Sequence, residues 1–414
     1  MNKRLKWVAN PHARQDRDKF PLHFLGREEI KKVRDFHRTF PQYDPTPLRS
    51  MSELAAYAGV AGIYVKDESY RFGLNAFKVL GGTYAIGKYL AGRLGLDISE
   101  ISFDSLKTGE VREKLGNITF TTATDGNHGR GVAWAAQQLG QKAVVYMPVG
   151  SSLIRMKNIL ATGAEAYITD LNYDDAVRLA AENARKSGWV VVQDTVWEGY
   201  EDIPTWIMQG YATMAAEALE QLKQCGVDRP THIFIQAGVG SLAGSVQGYF
   251  ASIFGASRPI TAVVEPEKAD CIYRSALAGD GKPRKVGGNM NTIMAGLACG
   301  EPNPIGWRIL WDYSDAFISC SDCLAAKGMR ILGNPLGGDP RVVSGESGAV
   351  TIGVLIEIMK NENLKPVRDL LKLDRNSKIL IFSTEGDTDP VNYRDVVWDG
   401  KYPSFDCESE LPEE

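Results

Sequence analysis

Histidine and cysteine are scarce in this chain of 414 residues: five of the first and six of the second. Cysteines at 225, 271, 299, 320, 323 and 407 are too few to staple so long a chain with disulfides. Cys320-x-x-Cys323 lacks the second pair that a tetrahedral zinc site takes, and the histidines at 12, 23, 37, 128 and 232 have no i,i+4 spacing. No metal is expected, and Cys271 and Cys299 are expected as buried free thiols. Net charge is also small, −4, which excludes a field strong enough to gather nucleic acid or an anionic membrane. Nowhere is there a run of the roughly 20 apolar residues that a membrane-spanning helix needs. The basic start Met1-Asn2-Lys3-Arg4-Leu5-Lys6-Trp7 is not followed by the apolar stretch of a secretory signal, so a cytoplasmic location is expected.

What is present is an ordinary globular composition in a chain long enough for two cores. Strand-like runs (Ile63–Val65, Thr119–Thr122, Ala143–Met147, Ala166–Ile168, Trp189–Val192, His232–Ile235, Lys378–Phe382) alternate with helix-like segments at Gly131–Leu139, Asp174–Lys186, Ile203–Leu222 and Gly348–Met359. This alternation predicts an α/β fold with parallel sheets covered on both faces. Residues 86–194 read as a small α/β domain inserted into a large domain of 1–85 and 195–414, with a ligand cleft between the two. The stretch from Glu408 to Glu414 reads as a solvated acidic tail.

Four motifs carry chemistry. In Phe72-Gly73-Leu74-Asn75-Ala76-Phe77-Lys78-Val79-Leu80-Gly81-Gly82 the lysine has apolar neighbours. Desolvation favours the neutral amine, which is the form that attacks an aldehyde; a lysine at an apolar helix start can equally reach past its neighbours to water. In Ile233–Gly244 an apolar strand runs into Gly238-Val239-Gly240-Ser241-Leu242 and then a helix, an order that lets backbone N–H groups converge on an anion, or simply makes a turn. Thr124-Asp125-Gly126-Asn127-His128 follows a short strand with a carboxylate, an amide and a hydroxyl in one turn, and also has the composition of a helix cap. Ile379-Leu380-Ile381-Phe382-Ser383-Thr384-Glu385-Gly386 ends a strand in hydroxyls, at a position suited to a ring nitrogen or to an ordinary turn.

In this order the four motifs, with Thr46-Pro47-Leu48 and Val264-Glu265-Pro266, resemble the fold-type II enzymes that depend on pyridoxal 5′-phosphate, over roughly residues 44 to 390. The segments Phe72–Lys78 and Ala123–Gly129 are most similar to the diaminopropionate ammonia-lyase family. Dehydratases of this fold usually carry Ser or Ala where this chain has Asp125. The resemblance implies α,β-elimination of D- and L-2,3-diaminopropionate to pyruvate and ammonia by a homodimer acting on a free amino acid. It makes Lys78 the Schiff-base lysine, with Phe77 beside it. Gly238, Val239, Gly240, Ser241 and Leu242 would receive the phosphate, and Asn127 the 3-hydroxyl oxygen. Thr384, or Ser383 by a one-residue ambiguity, would meet the ring nitrogen, and Glu346 would lie near the ring or start a helix. Thr124, Asp125, Gly126 and Asp194 would meet substrate, with Asp125 and Asp194 also in catalysis; Asp194 could instead only close a strand.

Rival readings are a threonine or serine dehydratase, or another lyase or racemase on the same scaffold, and a non-catalytic protein that binds the cofactor. A third is a dinucleotide-dependent oxidoreductase, with Glu265 about 20 residues beyond the glycines to hold a ribose, although G-x-G-x-x-x-G misses that fingerprint by one residue.

Overall fold

Runs of β-branched and aromatic residues bounded by Gly, Asp and Ser become strands in the computed structural model, which describes residues 4–15 and 17–404. Met1–Lys3, Cys407 and the acidic stretch 408–414 lie outside the described residues. The strands are β1 Leu5–Ala9, β2 Leu48–Ser50, β3 Gly62–Asp67, β4 Thr119–Ala123, β5 Lys142–Met147, β6 Glu165–Ile168, β7 Val190–Val191, β8 His232–Gln236, β9 Ile260–Pro266, β10 Ala316–Cys320 and β11 Lys378–Ser383. They form a seven-stranded sheet in the order β1-β10-β9-β8-β11-β3-β2 and a four-stranded sheet in the order β6-β5-β4-β7.

The smaller sheet is parallel throughout. The larger departs from the parallel expectation at both edges, where β1 runs antiparallel to β10 and β2 antiparallel to β3. β2 and β3 are joined through the helix Ser52–Ala58 and still pair antiparallel, while β1 and β10 lie far apart in sequence. The basic start is therefore, from Leu5 onward, an edge strand.

Helices that matter for the site are α1 Val79–Leu94, α2 Asn127–Gln138, α3 Leu153–Leu160, α4 Tyr173–Ser187, α5 Asp202–Gln224, α6 Ser241–Phe254, α7 Cys271–Ala278, α8 Pro304–Tyr313 and α9 Glu346–Lys360. α1 packs against both α5 and α2 and so ties the two sheets together. That contact is backbone to backbone. A Cβ at Gly131 of α2 would lie 2.8 Å from the Val79 backbone and 3.1 Å from the Lys78 carbonyl carbon. Only glycine lets α2 approach the start of α1 so closely.

Three of the four motifs, and Asp194, follow the carboxyl end of a strand: β4 precedes Thr124–Asn127, β7 Asp194, β8 the Gly238 loop and β11 Thr384. In open α/β sheets that edge is where ligands bind. No helix among the described residues is long and apolar enough to cross a membrane.

Candidate active site

Lys78 immediately precedes α1 and is buried on most sides but open to a cavity, its side chain 19% exposed. Its Nζ donates to Asp194 Oδ2 at 2.6 Å, and the rings of Phe77 and Tyr211 each lie 5.6 Å from it. The Tyr211 hydroxyl donates to the same carboxylate oxygen at 3.4 Å.

This pair corrects the expectation of a neutral amine. Burial does press Lys78 toward neutrality, but the charge of Asp194, reinforced by Tyr211, outweighs it and the ammonium is held above its ordinary value. Burial likewise presses the Asp194 carboxyl upward, yet Lys78 and His128 outweigh that and bring it down to about 2. Flanking residues describe desolvation and say nothing of a carboxylate 116 positions away.

Asp194 is itself fixed through its backbone. Its carbonyl accepts from Ser241 Oγ at 2.6 Å and from Asn303 Nδ2 at 3.0 Å, and Asn303 N donates to the Val239 carbonyl at 2.6 Å. Asn303, the N-cap of α8, thus joins the lysine's counter-ion to the glycine loop.

That loop lines the same cavity with Gly238, Val239, Gly240, Ser241 and Leu242. Gly240 has φ +95°, and a Cβ at Gly238 would come within 3.3 Å of Cys299 Sγ and Leu297 Cα. Among the described residues nothing accepts from the N–H groups of Gly238, Val239 and Gly240, and Ser241 and Leu242 follow as the first helical turn of α6. Unpaired N–H groups gathered at a helix N-terminus fit a phosphate dianion.

On the opposite walls stand Thr124, Asp125, Asn127 and His128, with Thr384 and Glu385. Asp125 Oδ2 accepts from Arg155 of α3 at 2.7 Å, so the carboxylate is oriented by a guanidinium that is itself buried. Gly126, at φ +153°, packs on the Arg155 side chain and is not itself in the cavity wall. His128 Nε2 donates to the Val192 carbonyl at 2.8 Å, leaving Nδ1 buried without a partner.

The two hydroxyls at the end of β11 face different ways. Thr384 lines the cavity and its Oγ1 accepts from Gln236 Nε2 at 2.9 Å, whereas Ser383 turns away to donate to Ser344 Oγ at 2.8 Å. Glu346 opens α9 and lines an adjoining cleft with Asp125, Arg155 and Asp389, outside the wall that holds Lys78. Glu265 accepts from the backbone N–H groups of Ile272 and Tyr273 at 2.9 and 2.6 Å. It therefore caps α7, which removes it from the ribose role that an oxidoreductase required. Cys271 and Cys299 are buried free thiols, and no group of three metal-ligating side chains occurs among the described residues.

Tyr211, Asn303, Arg155, Gln236 and Glu385 have no role in the sequence reading. Glu385 and Gln236 stood inside motifs already singled out; the others carry no local signal.

Glu346 is buried, hydrogen-bonded by Asn392 Nδ2, and raised to about 7 by burial and then by neighbouring Glu385. A carboxyl raised in the folded state supports stability below its unfolded value near 4.3, and that support is lost as pH rises toward 7. Glu346→Gln should therefore lose less stability than the parent protein between pH 5 and pH 8. The difference should be on the order of 3 kcal/mol at most, read from denaturant midpoints at the two pH values. An equal loss in both proteins would mean that Glu346 is already ionised at pH 5.

Residues 39–371 match the family model described as "Pyridoxal-phosphate dependent enzyme". The chain is 54% identical to diaminopropionate ammonia-lyase of Salmonella typhimurium, over 97% of this chain and all of that one. It is 55% identical to the enzyme of the same name from Escherichia coli K12, over 91% of this chain and 93% of that one. The crystal structure of the holo E. coli enzyme superposes with a TM-score of 0.89 at 52% identity, covering 96% of this chain and 97% of that one. A threonine deaminase from Solanum lycopersicum, 20% identical with a TM-score of 0.70 over 97% of this chain and 98% of its own, shares the fold. By these likenesses the chain belongs to the pyridoxal-phosphate dependent enzymes, within them to the diaminopropionate ammonia-lyase family.

Proposed function

We propose that this chain eliminates the β-amino group of 2,3-diaminopropionate, D and L, giving pyruvate and ammonia. The observation that carries the reading is one cavity with an amine–carboxylate pair, Lys78 and Asp194, and a second carboxylate, Asp125, on another wall. Solved structures of the E. coli relative with D-serine and with an aminoacrylate intermediate of the cofactor support it.

Lys78 would hold pyridoxal phosphate through its amine, Gly238–Leu242 the phosphate, Asn127 the 3-hydroxyl oxygen and Thr384 the ring nitrogen, with Phe77 beside the lysine. When bound, the cofactor supplies an electron sink that stabilises negative charge at Cα. Thr384 accepts from Gln236, so its own hydrogen is free to be given to a ring nitrogen. Thr124 and Asp125, in the turn that Gly126 closes by donating its N–H to Thr124 Oγ1, would meet the substrate. Asp194, the counter-ion of the Lys78 ammonium, is suited to hold the substrate's β-ammonium, which must leave protonated.

D and L isomers held by the same carboxylate and amine offer their Cα protons on opposite sides, and one base cannot serve both. Lys78 takes the proton of the L isomer and Asp125, oriented by Arg155, that of the D isomer. Removing a general base costs about 10²–10⁴-fold in rate. Asp125→Asn should therefore lose D-isomer turnover far more than L-isomer turnover, while Asp194→Asn should impair both. Ammonia release from each isomer, beside serine and threonine, decides this. Faster turnover of serine or threonine would favour a dehydratase, and equal losses in Asp125→Asn would end the face-specific role.

Residues 86–194 would form a small domain inserted in a large one of 1–85 and 195–414. Action as a cytoplasmic homodimer rests on the family alone.

A further inference from the structure

Asn127 does not stand free in the cavity wall. Its Nδ2 donates to Glu385 Oε2 at 2.5 Å, across 258 positions of sequence. Glu385 is 2% exposed, and its other oxygen accepts from Ser347 N at 3.2 Å, in the first turn of α9. The Thr388 hydroxyl donates to Oε2 at 3.3 Å. The backbone around it is stitched on three sides: Phe77 N donates to the Thr384 carbonyl, Gly386 N to the Asn75 carbonyl and Gly345 N to the Glu385 carbonyl, at 3.0–3.1 Å. Glu385 is thus held by the segment that leads into Lys78 and by the start of α9, and it reaches the turn that carries Asn127.

We propose that Glu385 is the positioning residue that sets the Asn127 carboxamide for the cofactor's 3-hydroxyl oxygen. This rests on the reading that Asn127 meets that oxygen. A carboxamide is ambivalent, since its nitrogen only donates and its oxygen only accepts, and rotation by 180° exchanges them. A carboxylate accepts only, so the amide end that faces Glu385 must be the nitrogen. With one N–H spent on Glu385, the second lies about 120° away in the amide plane. Both residues line the cavity, so this second N–H is the one available to a ligand there. Without the carboxylate the amide is free to turn its oxygen toward an anionic ring oxygen, which repels it.

Glutamine at 385 cannot replace this arrangement. If its oxygen faces Asn127, its amide nitrogen faces the Ser347 N–H, donor against donor; the reverse orientation opposes two amide nitrogens.

The experiment is a double-mutant cycle on Glu385→Gln and Asn127→Ala. It has two readouts: the dissociation constant of pyridoxal phosphate, titrated into cofactor-free protein, and the visible absorption band of the loaded protein. Each single variant should weaken affinity about tenfold, the worth of one hydrogen bond to a charged group, and shift the band in the same direction. The double variant should be no worse than Asn127→Ala. Losses that multiply, or a Glu385→Gln band identical to the parent's, overturn the proposal while leaving the role of Asn127 intact. An Asn127→Ala variant with unchanged affinity and band overturns both. Should Glu385→Gln not fold, Glu385→Asp keeps the charge and withdraws it by one methylene, and the same two readouts apply with the same outcomes.

Discussion

Lys78→Ala should abolish turnover of diaminopropionate, by at least the roughly 10²–10⁴-fold that loss of one general base costs and further because the same amine holds the cofactor. The structure adds a consequence for stability. Asp194 is 1% exposed, and Lys78 is the cation bonded to its carboxylate. Removing one partner of a buried pair typically costs about 3–5 kcal/mol, and the partial exposure of Lys78 puts this case at about 3 or below. Asp194, relieved of the ammonium and still buried, should then take up a proton at higher pH than the value of about 2 it has beside Lys78. In the parent protein the depressed carboxyl supports stability at pH above about 4, and that support is lost as pH falls toward 2. The variant should lack this acid-side dependence, and Lys78→Ala/Asp194→Asn should recover stability while remaining inactive. Ammonia release and denaturant midpoints on the three variants separate the roles. Borohydride reduction of the parent protein with peptide mapping should place the pyridoxyl label on Lys78; a label on another lysine would sink the assignment.

Central strands such as β8 and β11 were legible because burial on both faces forces continuous apolar runs, His232–Ile235 and Lys378–Phe382, whereas β9 and β10 are absent from the runs that read as strands. The two edge strands of the larger sheet, β1 and β2, were not legible either. In β1 the residues after Leu5 are only partly buried and Lys6 interrupts the run, so it reads as a basic start. β2 is three residues, too short for any periodicity. At the site, positions at the carboxyl ends of strands were legible because glycine, hydroxyl and amide residues there break the apolar pattern. What those residues bond to was not. Asp194 meets Lys78 across 116 positions, Asn303 meets Asp194 across 109 and Glu385 meets Asn127 across 258. Such pairings are made by the order of strands in two sheets, and no local spacing encodes them. Local sequence therefore shows only the desolvation of Lys78, and the rival oxidoreductase reading of Glu265 could not anticipate the two backbone N–H groups it caps.

Gly240→Asp tests the phosphate cradle, with Gly240→Ala as its control. At φ +95° any side chain is strained, and a Cβ at this position would meet Ile272 Cδ1 at 3.2 Å, a flexible methyl that can yield. Strain of about 1–2 kcal/mol is therefore expected for alanine, roughly a tenfold loss of cofactor affinity if the loop shifts to relieve it. Aspartate adds a carboxylate to a loop whose N–H groups face the ligand. Two like charges about 4 Å apart repel by roughly 4 kcal/mol at an effective dielectric of about 20, a further factor of about 10³. The excess of aspartate over alanine isolates charge from strain, and it should shrink in high salt only slightly, because a cradle closed by α8 and Asn303 admits little solvent. Titration of pyridoxal phosphate into the two cofactor-free variants measures it, with circular dichroism to show that the fold persists. If aspartate is no worse than alanine, the loop is a strand-to-helix turn and the dianion sits elsewhere.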